Sequence, residues 1–169
     1  MQIFIDSYPR VTAFVSEEAF HVTVGDGRSA KQLLGAGRYG LVCEEVVREF
    51  RWRRIHTSKK PVHVDLVVVE FDRRVQAWEV GCSLPKLGLE LTTEEDALRF
   101  GAQFFKNETT PNEHPYVFIQ KPEGQGYSHG TLMLGWDNQG RRVLGGRNQG
   151  DFWRYGPTCK FMARRPQKE

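Results

Sequence analysis

The chain has no apolar run approaching the ~18 residues a membrane-spanning helix requires, and its first residues lack the basic stretch and apolar core of a secretory leader. A soluble, cytoplasmic protein with no membrane partner is the expectation. Cysteine is scarce. Cys43, Cys82 and Cys159 are an odd, scattered set in 169 residues, which argues against a disulfide framework and for a reducing compartment. The five histidines, His21, His56, His63, His114 and His129, form neither H-x-H nor H-E-x-x-H and accompany no C-x-x-C, so neither a metal nor a cofactor is expected. Internal repeats and long polar linkers are also missing, so residues 1–169 read as a single domain long enough to bury a core.

What is present in quantity is unevenly placed charge. The formal net charge is +3, yet Lys plus Arg minus Asp plus Glu gives −2 over residues 1–47, +4 over 48–75, −5 over 76–140 and +6 over 141–169. Arg, whose planar fork suits phosphates and carboxylates, supplies most of the positive charge.

Hydrophobic period divides the chain further. Residues 1–24 read as N-terminal strands with apolar alternation through Val11, Ala13, Val15, Phe20, Val22 and Val24. Residues 28–55 read as helical. Ser29 caps a short helix to Leu34, residues 35–40 interrupt it, and Cys43, Val46, Val47 and Phe50 form one stripe of a second helix from Leu41 to about Ile55. Residues 62–82 read as a hairpin of two strands, 62–71 and 75–82, about Asp72-Arg73-Arg74. Thr92-Thr93-Glu94-Glu95 reads as a capping box with Thr92 as N-cap, opening a helix over 92–106. Residues 114–164 form a glycine-rich β region, with a tight hairpin at Asp137-Asn138-Gln139-Gly140. The expected fold is α+β, a mainly antiparallel, strongly bent sheet with two or three helices packed on one face.

Several short constellations carry possible chemistry. Gly35-Ala36-Gly37-Arg38-Tyr39-Gly40 fits G-x-G-x-x-G, so Gly35, Gly37 and Gly40 are weak candidates for phosphate binding. With Gln32 the run also resembles the Q-x-x-G-x-G turn of GNAT acetyltransferases, which would imply an acyl-CoA ligand. Cys43 near a helix start, with His63 on a later strand, is a candidate nucleophile and base pair. Its chain order resembles that of papain-like hydrolases. Asp65, Glu70 and Glu79 resemble the acidic pair of PD-(D/E)xK nucleases, but Val80 and Gly81 stand where that pattern needs its Lys.

The basic block from Arg48 to Lys60 is the most distinctive stretch. Arg51, Trp52, Arg53, Arg54, Lys59 and Lys60 interleave charge with an aromatic ring, as do Arg141, Arg142, Trp153 and Arg154 near the carboxyl end. With no complete catalytic set, the expected function is a small non-enzymatic interaction or accessory protein. It would bind an acidic protein or a nucleic acid through a basic, aromatic-rich surface. The alternative is an enzyme acting on a phosphorylated or acyl ligand through the Gly35 to Gly40 turn with Cys43 and His63. Oligomeric state stays open.

Overall fold

Strand residues alternate between two faces, so a sheet built from runs such as His21-Val22-Thr23-Val24 has an apolar side and a polar one. The computed structural model describes residues 2–5, 11–52, 60–111, 114–120, 130–147 and 154–167; for Arg51, Trp52 and Arg154 it describes the backbone path alone. The elements are β1 (Gln2–Ile5), β2 (Val11–Val24), α1 (Ala30–Gly37), β3 (Leu41–Val42), α2 (Glu44–Trp52), β4 (Val62–Phe71), β5 (Val75–Gln76), α3 (Ala77–Lys86), α4 (Glu94–Gln103), β6 (Tyr116–Ile119), β7 (Thr131–Trp136), β8 (Arg142–Arg147), β9 (Arg154–Tyr155) and β10 (Lys160–Arg164). A single 3-10 turn, Phe105–Asn107, follows α4. No helix among the described residues is long and apolar enough to cross a membrane.

Eight of the strands form one open sheet in the order β1-β2-β4-β10-β6-β7-β8-β3, and β5 pairs with β9. Neighbours run antiparallel except β6 with β10 and β3 with β8, so the α+β class with a mainly antiparallel sheet holds. The hairpin at Asp137 also forms as expected: β7 and β8 flank it, and Gly140 takes the left-handed φ of 72° that a side chain resists.

The helices do not share one face. Val67, Val69, Val117, Ile119, Phe161 and Ala163 pack with Ala77, Val80 and Leu84 of α3. Their sequence neighbours Leu66, Phe118 and Met162 point the other way, to Leu33 of α1, Val46 of α2 and Leu98 and Phe100 of α4. The expectation of helices on one face is therefore corrected: the sheet is covered on both, because its central strands are apolar on both sides.

Three further elements differ from their reading in the sequence. The second arm expected for the 62–82 hairpin is only the two residues of β5 before α3 begins. There the Glu79 carboxylate accepts from the Gln76 N–H at 2.7 Å, and the helix buries Ala77, Val80, Gly81 and Leu84, a spacing of helical period. At α4 the cap is Thr93, not Thr92. Its hydroxyl accepts from the Asp96 N–H at 3.3 Å while the Asp96 carboxylate accepts from the Thr93 N–H at 2.6 Å. Thr92 is instead bridged to Gln120, and its hydroxyl donates to the Ile119 carbonyl at 3.0 Å. Finally, Leu41 and Val42 pair with β8, which delays the second helix to Glu44.

Candidate functional site

Strand directions decide which residues meet. With β2, β6, β8 and β10 antiparallel to β4 and β7, the ends of the former group and the beginnings of the latter lie at one end of the sheet, here the lower end. Helix α2 travels toward that end. The Cys43 N–H donates to the Leu144 carbonyl, and Val46 lies against Gly146, so helix and β8 advance together. The carboxyl end of α2, beside β8 on the other face, and the start of β4, preceded by exposed Lys60, thus point to the same end of the sheet as Arg165 just after β10.

At this end α3 no longer covers its face of the sheet, and that face carries a polar cluster. In the β2–β4 register His21 opposes Asp65 and Thr23 opposes His63, which puts all four side chains on one side. Their neighbours Val22, Val24, Val64 and Leu66 are buried on the other side. The His21 Nδ1 lies 2.7 Å from the Asp65 Oδ1, and the Thr23 hydroxyl 3.3 Å from the His63 Nδ1. The His21 side chain is 76% exposed, so the pair faces solvent.

Arg165 extends the cluster onto the next strand. Its N–H donates to the Asp65 carbonyl, continuing the β4–β10 ladder, and two residues after Ala163 it projects to the same face. The Arg165 Nη2 donates to the carbonyls of Ser16 and Glu17 at 3.2 and 2.9 Å, which fixes the guanidinium across β4 at the bulge in β2. Gln167 donates to the His63 carbonyl. Among the described residues no group of three His, Cys, Asp or Glu is placed to hold a metal ion.

The residues picked out in the sequence do not gather at this end. His63 is in the cluster. Cys43, half-buried against the α1/α2/α4 side, is five strand spacings from β4, about 24 Å along the sheet, and on the opposite face, so the pair is not assembled. Gly35 and Gly37 lie in the last turn of α1, where a helix offers carbonyls rather than N–H groups, and the Gly40 N–H donates to the Arg142 carbonyl. Arg141 and Arg142 are at the upper end of the sheet. Arg141 pairs with Asp137 at 2.7 Å, and Arg142 donates to the Lys106 carbonyl while its guanidinium stands 6.0 Å from the Trp136 ring centre. Arg51, Trp52 and Arg154 are located by backbone only, and Arg53, Arg54, Lys59 and Trp153 lie outside the described residues.

No short regular pattern joins His21, Thr23 and Arg165, so no motif marks them in the sequence. One signal is present: His21-Val22-Thr23-Val24 and His63-Val64-Asp65-Leu66 are two matching alternations whose polar members pair once the strands are adjacent. Comparison of the chain with known protein families, with curated proteins and with solved structures finds no match in any of the three.

Proposed function

We propose that the chain is a nucleic-acid-binding protein whose contact surface is the lower end of the sheet and the open polar face beside it. The observation that carries this reading is the Arg165 guanidinium fixed across β4 at that end, with exposed Lys60 just before the same strand. Fixed guanidinium groups suit phosphate oxygens, and lysines add diffuse attraction that salt screens. Arg141 and Arg142 at the upper end are engaged with Asp137, Lys106 and Trp136, so among the described side chains Arg165 is the second block's support for this surface.

Titration of labelled single-stranded RNA and duplex DNA across a salt series tests it. The logarithm of affinity is expected to fall with the logarithm of salt, and Arg53→Ala with Arg54→Ala to reduce that slope by about 0.7 to 0.9 for each phosphate no longer neutralised. A flat salt response overturns the proposal. Equal affinity for polyglutamate would reassign the partner to an acidic protein.

A further inference from the structure

Two imidazoles on adjacent strands of an open face, one held by a carboxylate, with a guanidinium anchored further along the same face, have more chemistry than binding requires. His21 and His63 are diagonal neighbours in the β2–β4 register, a relation that sets side-chain origins about 7 to 8 Å apart. Two such rings can flank a single phosphorus. Asp65 holds the His21 Nδ1 at 2.7 Å, turning Nε2 outward. The His63 Nδ1 is oriented by the Thr23 hydroxyl. Arg165, anchored at 2.9 and 3.2 Å to two carbonyls of the β2 bulge, places positive charge on the same face. The other charged groups on the adjoining elements are Glu17 and Glu18 in that bulge, Lys60 before β4, and Glu70, Lys160 and Arg164, which alternation places on the opposite face.

We propose that this face cleaves single-stranded RNA by metal-independent transesterification. This rests on the nucleic-acid reading above and departs from the non-enzymatic expectation of the sequence. His63 takes the proton of a ribose 2′-hydroxyl, and that oxygen forms a bond to the adjacent phosphorus. The bond from phosphorus to the 5′ oxygen breaks, and the leaving oxygen receives its proton from the His21 imidazolium. The products are a 2′,3′-cyclic phosphate and a 5′-hydroxyl, and no co-reactant is consumed. Asp65 is a positioning residue acting through His21, and Arg165 adds positive charge to the face along which the strand lies.

The test uses the full chain in excess EDTA with a fluorescent oligodeoxynucleotide carrying one ribonucleotide, and an all-deoxy version for binding. Cleavage at the ribonucleotide, a cyclic-phosphate product by mass spectrometry and a bell-shaped rate against pH are expected. His21→Asn and His63→Asn should each lower the single-turnover rate at saturating protein by about 100-fold or more, in line with general acid–base catalysis. Asp65→Asn should lower it less and move the limb of the pH profile that belongs to His21. Binding of the all-deoxy strand without cleavage of the chimera overturns this inference and leaves the binding proposal standing. Absence of binding overturns both. Cleavage that persists in the doubly substituted His21→Asn, His63→Asn chain, or products ending in a 3′-hydroxyl, overturns the assignment of chemistry to this face. The product analysis on the unaltered chain stands whether or not a variant folds.

Discussion

Tyr39 gives the glycine motif a physical meaning that phosphate binding does not. A Cβ on Gly37 would lie 2.3 Å from the Tyr39 ring, and one on Gly101 of α4 would lie 1.8 Å from its hydroxyl. The two glycines therefore make the slot that admits this ring between α1 and α4, where it stacks on Phe105 at 6.5 Å. The Tyr39 hydroxyl is buried with no hydrogen-bond partner among the described residues, and burial pushes its pKa well above the usual tyrosine range. Gly101→Ala should cost about 1–3 kcal/mol by overpacking. Tyr39→Phe alone should be neutral or slightly stabilising, since it removes an unsatisfied buried group. Combined, the two should show less than additive loss in urea unfolding; strict additivity would mean that the hydroxyl and the new methyl do not compete for the slot.

Among the elements, α4 is the one tied to most of its surroundings by charge. Arg99, 0% exposed, meets Asp26 at 2.5 Å and Glu95 at 3.0 Å, and the Glu95 carboxylate also accepts from the Gly25 N–H at 2.8 Å. The turn after β2 is thereby clipped to the helix. Arg99→Met would remove the buried cation shared by Glu95 and Asp26, although Asp26 keeps Arg28 at 2.7 Å, and should destabilise by about 3 kcal/mol in chemical denaturation. The hydrogen bonds from Arg99 hold the Asp26 carboxyl well below the usual carboxylate range. A depressed folded value gives stability that is full above the unfolded pKa, near pH 4, and is lost as pH falls toward the folded one. The stability advantage of the unaltered chain over Asp26→Asn should accordingly shrink below about pH 4; an advantage that stayed constant down to strong acid would show that this carboxylate is not the titrating link.

How far these elements are legible in the sequence depends on whether their local signals have competitors. Ser29 has none, and its side chain caps α1 as expected. The Thr92-Thr93-Glu94-Glu95-Asp96 run contains two overlapping boxes, and the choice falls to Thr93 because Asp96 is also held by Arg164 at 2.6 Å, a partner 68 residues away. The segment 75–84 opens with β-branched and aromatic residues that suggest a strand, whereas Leu84, beyond the expected strand, completes a helical stripe. The polar quartet of β2 and β4 shows the same limit at the site: each strand displays its own alternation, but only the register makes His21 face Asp65.

At the scale of the whole molecule the sheet is two blocks joined late. β1, β2 and β4 make one antiparallel set and β6, β7 and β8 another, and β10 lies between β4 and β6 with a partner on each side. Phe161 and Ala163 of that strand enter one core and Met162 the other, so a five-residue segment is shared by both layers. Chains cut before Lys160 should lose the single cooperative unfolding transition, and a synthetic peptide of residues 156–169 should restore it when added in excess. A cooperative transition in the cut chain alone would show that the two blocks are stable without their joint.

That placement also bears on how the protein is made. A ribosome delivers residues in order, so every other strand of the sheet leaves the tunnel before its centre exists. Until residues 160–164 emerge, β4 and β6 each present an unsatisfied edge lined with valine and phenylalanine, the kind of surface that seeks strands on other chains. For this fold the exposure to misassembly runs from the emergence of β4 until residues 160–164 appear.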